Sequence, residues 1–178
     1  LRLGGMADSL EARAEETRTR QLSPVEFLAL LLDDEIERRQ QRRQAQRERE
    51  AGFDPPKHLS QFDFSAIPTL DRSLVLEMST CAFIAARENW LIHGPTGVGK
   101  SHLATAIGHE AIRRGYTVYA RQTHRLLADL HAARADGGYA RRLQKVSSVD
   151  LLILDVFGLR PVSAAGADDL YEIVQRRY

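Results

Sequence analysis

The 178-residue chain has a single cysteine, no long apolar run and almost no net charge. One cysteine, Cys81, excludes an internal disulfide and fits a reducing compartment. No apolar run approaches the roughly 20 residues that cross a bilayer, and no signal peptide is visible, so we expect a cytoplasmic protein with no membrane partner. The net charge of +1 points to no class of partner, and 43% hydrophobic residues suffice for one buried core.

Aromatic residues are scarce in the first part of the chain, where Phe27 is the only one among residues 1–50. This part is rich in Arg, Glu and Gln, and its apolar spacing predicts two helices. Ser23 is expected to cap the second helix, with Pro24 at its first position and Glu26 closing a capping box. Gly52, Pro55 and Pro56 predict a linker over residues 51–56.

The second helix ends in a run of arginines that lie mostly along one side. Two interpretations stay open. The arginines can follow a nucleic-acid backbone, or they can form a solvated face with ion pairs to neighbouring glutamates. No aromatic residue interleaves them, so stacking on single-stranded bases is not expected there. The candidate contacts to duplex DNA, without base specificity, are Arg38, Arg39, Arg42 and Arg43.

Residues 94–101 read G-P-T-G-V-G-K-S, which matches the phosphate-binding loop of nucleotide hydrolases. The glycines let successive N–H groups point at one anion, Lys100 can reach the terminal phosphates, and Ser101 can bind Mg²⁺. The alternative is a glycine-rich turn before an ordinary helix. The candidate nucleotide-binding residues are Gly94, Pro95, Thr96, Gly97, Val98, Gly99, Lys100, Ser101 and His102.

The context of this loop favours nucleotide binding. Residues 89–93 are mostly apolar and predict a buried strand that ends at the loop. Apolar residues then recur at helical spacing from Leu103 to Ile112, and Gly115 marks the end of that helix. A strand, a loop and a helix in this order are the surroundings that the motif requires.

A second apolar run, residues 151–155, ends in Asp155. A carboxylate at the carboxyl end of a parallel strand faces the crevice where ligands bind in open α/β sheets. Asp155 can hold Mg²⁺ there, opposite Ser101, so we take Lys100 and Asp155 as candidate catalytic residues and Ser101 and Asp155 as metal ligands. The alternative is a strand-terminating aspartate in a polar turn.

The remaining pattern completes an α/β fold. Residues 116–120 predict a strand, and residues 124–135, 139–146 and 168–178 predict helices. An amphipathic helix is also predicted over residues 75–84, with Cys81 as a small buried residue. Alternating strands and helices imply a parallel sheet flanked by helices. We expect a helical, Arg-rich segment (1–51) for DNA or partner binding, a linker (52–70) and a nucleotide-binding core (71–178).

The combined pattern resembles the IstB-like ATP-binding proteins, helper ATPases encoded beside a transposase in bacterial insertion sequences. These belong to the AAA+ class of P-loop NTPases and are similar to bacterial helicase loaders. The resemblance implies ATP and Mg²⁺ as cofactors, homo-oligomeric assembly on duplex DNA, and capture of a cognate transposase. The residues that carry it lie at 1–7, 28–35, 62–64, 70–72, 94–103, 108–111, 134–137 and 151–159.

The chain departs from the family pattern in two places. Family members usually carry a second acid directly after the one that matches Asp155, where this chain has Val156. A valine cannot orient an attacking water, so we expect ATP binding with slow turnover. The family also continues past Tyr178 with a sensor strand and an arginine finger. We therefore expect a C-terminally truncated fold, as a fragment, a partial gene product or a degraded copy, with poor stability from exposed strand edges.

Two alternative functions share the same loop. A helicase-loader ATPase would act in replication, and a small-molecule kinase would transfer phosphate to a metabolite. The basic N-terminal helix and the lack of a recognisable acceptor site argue against the kinase. Phe62 and Phe64 are candidates for contact with the base only by their position before the nucleotide-binding core.

Overall fold

The computed structural model describes residues 3–53, 57–67 and 70–178. The chain divides into two compact units, Leu1–Gln46 and Arg47–Tyr178. Two short 3₁₀ turns, Leu59–Gln61 and Phe64–Ala66, precede the third helix. In chain order the other elements are α1 (Gly4–Arg20), α2 (Pro24–Ala51), α3 (Arg72–Ser79), α4 (Ala82–Ala85), α5 (Lys100–Arg113), β1 (Val118–Gln122), α6 (Thr123–Ala135), α7 (Tyr139–Ser147), β2 (Leu151–Asp155) and α8 (Ala164–Arg177).

The start of α2 follows the sequence prediction. The Ser23 N–H donates to Glu26 Oε2 at 2.7 Å, and the Glu26 N–H donates to Ser23 Oγ at 3.3 Å. This reciprocal pair is the capping box, which satisfies two N–H groups that the helix itself leaves unpaired.

Polar contacts join α1 to α2 in the first unit. The Gly5 N–H donates to Glu35 Oε2 at 2.6 Å, and the Glu35 residue is only 6% exposed. Arg13 donates twice to the Asp34 carboxylate, at 2.9 and 2.7 Å, and so holds the pKa of that carboxyl at about 2. Charge-assisted pairs therefore supply much of the contact between these two helices.

The second unit is built on a parallel pair of strands. β1 pairs with β2 in a register that runs from Val118 opposite Leu151 to Gln122 opposite Asp155. Successive side chains of a strand point to opposite faces. One face, with Leu151 and Ile153, packs against α5, and the other, with Tyr119, Leu152 and Leu154, packs against α6, α7 and α8. The predicted α/β fold, a parallel sheet flanked by helices, is confirmed.

The prediction of a strand at residues 89–93 is wrong. No described segment pairs with these residues, which run into the loop without regular structure. Ile92 packs against the core, but Leu91 is 82% exposed and Trp90 37% exposed. An apolar run becomes a strand only where a neighbour completes its hydrogen bonds, and within the described ranges β1 and β2 pair only with each other.

Several boundaries differ from the prediction for local reasons. β1 begins at Val118 rather than at Tyr116, because the Tyr116 N–H caps α5 through Ala111 O at 3.0 Å. α8 begins four residues before the predicted start, because the Ser163 side chain accepts from the Gly166 N–H and caps it.

The helix predicted over residues 75–84 is split. α3 ends at Ser79 and α4 begins at Ala82, and the φ of Cys81 between them is +59°. Cys81 is fully buried as predicted, and burial raises the pKa of its thiol. The predicted linker, residues 52–70, contains a core residue, Phe62. Residues 54–56 and 68–69 of this linker lie outside the described part of the chain.

Candidate nucleotide-binding site

Residues 94–99 form a largely exposed loop that leads into α5. The φ angles of Gly97 and Gly99 are +87° and +86°, values that residues with a Cβ rarely adopt. Such a backbone can turn successive N–H groups to the same side. α5 begins at Lys100, so its unpaired N–H groups and positive dipole end lie at the loop as well. The loop therefore has two features that an anion site requires, glycines with positive φ and a helix start.

Lys100 lies over the loop that precedes it. Its ammonium donates to Gly94 O at 2.8 Å and to Pro95 O at 2.6 Å. Both acceptors are neutral carbonyls, whereas a phosphate oxygen is ionised and accepts more strongly. A bound phosphate can therefore draw the ammonium away from the loop without a change in the fold.

The two predicted metal ligands are in direct contact. Ser101 Oγ donates to Asp155 Oδ1 at 2.8 Å, although the residues are 54 positions apart in sequence. The Val156 N–H donates to the same oxygen at 2.8 Å. Thr123, which is 3% exposed, donates from Oγ1 to the Asp155 carbonyl at 3.1 Å. Thr123 was not predicted, and its position directly after β1 is the only sequence signal for it.

This donor set suits Mg²⁺ bound together with a phosphate. Within residues 3–53, 57–67 and 70–178, no three His, Cys, Asp or Glu residues group to form an all-protein metal cage. Mg²⁺ is usually held by one or two protein carboxylates, with water and substrate phosphates completing six ligands. A carboxylate and a hydroxyl side by side match that requirement.

Val156 follows Asp155 directly, at the position where the family pattern usually has a second acid, and its backbone conformation is unusual. Its φ is +56°, in the left-handed region, where a β-branched residue is an outlier. Its side chain has no acceptor that could orient or deprotonate a water. Val156 thus supplies no group for activating water.

His102 and Phe62 support the loop from the side. His102 Nε2 lies 3.1 Å from His58 O, and its ring centroid is 5.2 Å from that of Phe62. Phe62 is 8% exposed, and one of its ring atoms lies 3.1 Å from where a Cβ on Gly99 would be. Phe62 stays a candidate for contact with a base by its position only, and its ring packs into the core. Phe64 is half-buried and stays a candidate.

The four arginines predicted to contact DNA fall into two pairs. Arg38 forms an ion pair with Asp8 at 2.9 Å, and Arg39 forms one with Glu35 at 2.6 Å. Arg42 and Arg43 are exposed, and no ion pair of theirs is found in the described part of the chain. The ion-pair interpretation therefore applies to Arg38 and Arg39, and contact with nucleic acid stays a prediction for Arg42 and Arg43.

A glycine-rich loop at a helix start, with a strand-end aspartate beside it, defines a P-loop nucleotide-binding protein. The family model of the IstB-like ATP binding protein matches residues 1–178. The chain belongs to the IstB-like ATP-binding protein family.

Relatives with curated descriptions come from several bacteria. An ATP-binding protein in an insertion sequence of Mycobacterium tuberculosis is 39% identical over 177 residues, which cover 99% of this chain and 70% of the relative. That of insertion sequence IS1162 from Pseudomonas fluorescens is 39% identical, covering 99% and 77%. That of IS21 from Pseudomonas aeruginosa is 35% identical, covering 100% and 67%. These similarities support an insertion-sequence-associated, ATP-binding role.

No helix in the described ranges is long and apolar enough to span a bilayer.

Proposed function

We propose that this protein binds ATP with Mg²⁺ at residues 94–101 and acts as a helper of DNA transposition. The main support is the 2.8 Å contact between Ser101 Oγ and Asp155 Oδ1 beside the phosphate loop. Lys100 neutralises the terminal phosphates, Ser101 binds the metal directly, and Asp155 holds it through water. Nucleotide binding belongs to residues 71–178, and DNA or partner binding to residues 1–51.

Nucleotide binding is tested by titration with a fluorescent ATP analogue, with Mg²⁺ and with a chelator. We expect a micromolar Kd that Lys100→Ala weakens at least tenfold. In Asp155→Asn we expect the effect of Mg²⁺ on affinity to disappear. Arg125→Ala and Asp168→Asn remove the same charges elsewhere and serve as matched controls. Equal affinities for site and control variants would refute the proposed site.

Hydrolysis is proposed to be slow because Val156 cannot activate water. The geometry around Asp155 supports the expectation that binding is retained. The Val156 N–H donates to the carboxylate through the backbone, which any residue other than proline provides. Valine at this position therefore lacks the acidic group but keeps the backbone hydrogen bond to the Asp155 carboxylate.

DNA binding is proposed for the arginines of α2, with Arg42 and Arg43 as the principal contacts. Arg38 and Arg39 contribute only if they leave their partners Asp8 and Glu35. Removal of one arginine–phosphate ion pair should reduce the slope of log K against log salt by about 0.9 on a duplex. Alanine at all four arginines should lower the slope, whereas alanine at Arg18 and Arg20 of α1 should not. An unchanged slope in the fourfold variant would remove this assignment.

The proposed partner is the transposase of the same insertion sequence, with ATP- and DNA-dependent self-assembly. The relatives described above are all insertion-sequence proteins, which favours transposition over replication or metabolite phosphorylation. A pull-down with the neighbouring transposase and with a replicative helicase, each with and without ATP, separates the first two functions. Retention of the helicase alone would contradict our proposal.

A further inference from the structure

A cleft lies in the second unit where β1 begins. It consists of two cavities of about 220 and 210 Å³ that share Tyr119 and Lys145 in their walls. Arg47 and Glu50 also line the first, and Arg142 and Asp129 line the second. We call this feature the β1-edge cleft.

The β1-edge cleft is separate from the nucleotide loop. It opens at the start of β1, where Val118 lies opposite Leu151. The metal-binding end of the sheet is at Gln122 and Asp155, which are four residues further along each strand. At about 3.3 Å per residue, the two ends are roughly 13 Å apart.

The walls of the cleft carry three basic side chains and two acidic ones. On α7, Lys145 lines both cavities, and Arg141 lies one helical turn away on the same face of the helix, outside the cavity walls; both side chains are exposed. Neither of these cations forms an ion pair within the described ranges. The acidic group Asp129 is already paired with Arg121 at 3.2 Å. Its charge is therefore largely balanced before any ligand enters the cleft.

Tyr119 adds an aromatic surface to these cations. It is half-buried, and Lys145 Nζ lies 5.8 Å from the centre of its ring. Proteins that bind single strands combine a cationic path for the phosphates with aromatic rings on which bases stack. The arginine face of α2 has no such ring. The two surfaces are therefore suited to different forms of nucleic acid.

We propose that the β1-edge cleft binds single-stranded nucleic acid, with a base stacked on Tyr119 and backbone phosphates on Lys145 in its wall and on Arg141 beside it on α7. This goes beyond the proposed function, which requires only duplex contacts through α2. An unpaired strand fits better than a duplex because the ring is half-buried in the wall of the cleft, where only an unstacked base can reach its face.

The test measures fluorescence anisotropy of a labelled oligothymidine strand, and of a duplex of equal length, over a range of salt concentrations. Tyr119→Leu should weaken single-strand binding about tenfold, whereas Tyr119→Phe keeps the ring and should stay within about twofold. The double variant Arg141→Ala/Lys145→Ala should lower the single-strand salt slope by about 0.7 for each phosphate released. Arg125→Ala, an exposed cation on α6 outside the cleft, is the charge-matched control.

Three results would overturn the proposal: single-strand affinity unchanged in Tyr119→Leu, an α7 variant that behaves like Arg125→Ala, or equal losses on duplex and single strand. Thermal unfolding of each variant shows that the fold is retained. Titration with the fluorescent ATP analogue and the salt slope of the α2 variants are measured in parallel. These parallel measurements distinguish a refuted single-strand site in the cleft from a refuted nucleotide site or a refuted duplex-binding surface on α2.

Discussion

A single substitution at Val156 should change both stability and catalysis. The residue holds φ at +56°, a conformation that costs a side chain with a Cβ about 1–2 kcal/mol. Asp and Asn tolerate it better, because their short polar side chains bond locally. Against this gain, loss of the half-buried valine side chain costs about 0.5–1 kcal/mol. Val156→Asn should therefore leave the free energy of unfolding unchanged or raise it by up to about 1 kcal/mol.

The chemical effect should appear only with an acid. Val156→Asp places a proton acceptor directly after Asp155, and a positioned general base contributes typically 10²- to 10⁴-fold. We expect at least a tenfold rise in steady-state phosphate release for Val156→Asp. The matched variant Val156→Asn has nearly the same shape and backbone preference without a base, so its turnover should equal that of the unmodified chain.

Urea unfolding and a phosphate-release assay on the same three proteins separate the two effects. Equal turnover in Val156→Asp and Val156→Asn would refute the assignment of this position to water activation. A loss of more than about 1 kcal/mol in Val156→Asn would instead refute the strain argument, because packing would then outweigh the left-handed backbone.

Three further predictions concern packing and pH. Gly5→Ala should destabilise the first unit by about 1–3 kcal/mol in urea unfolding, because a Cβ would meet the backbone of α2 at 2.7 Å. In the control Gly4→Ala the new Cβ would meet the movable guanidinium of Arg38, so the loss of unfolding free energy should be smaller. Equal losses in the two variants would contradict this prediction. Asp169→Asn should lower the free energy of unfolding by about 2 kcal/mol, measured by thermal unfolding, because the 1% exposed carboxylate accepts two hydrogen bonds from Arg134. An unchanged free energy would mean that solvent fully replaces these hydrogen bonds. Burial lowers the pKa of His109 below its usual 6.5, so the unfolded chain binds the proton first and the free energy of unfolding should fall as pH drops below about 6.5. His109→Phe should flatten that part of the pH profile, and an unchanged profile would assign the loss to other groups.

Short-range patterns in this chain were predictable because their physics is local. The capping box at Ser23 and Glu26 involves residues three apart, and the structure has it as predicted. β2 occupies residues 151–155, where four aliphatic residues precede Asp155. The end of α5 at Gly115 follows from a left-handed glycine, with a φ of +97°.

Long-range pairing decided the rest. Residues 89–93 have the composition of a buried strand, but a strand also needs a neighbour, and composition does not reveal whether one is present. Phe62 lies in a segment that reads as a linker, and only the tertiary structure packs its ring beside Gly99. Arg38 lies in a run of arginines whose partners the sequence does not reveal, and only the tertiary structure shows that it forms an ion pair with Asp8.

The sequence by itself determined the phosphate loop, the strand that ends in Asp155 and membership of the α/β class, because each depends on residues close together in the chain. Only the tertiary structure decided that Ser101 meets Asp155 at 2.8 Å across 54 residues. It also showed Val156 strained beside that carboxylate, and Lys145 beside the Tyr119 ring. Such contacts depend on how distant segments pack, which no local pattern specifies.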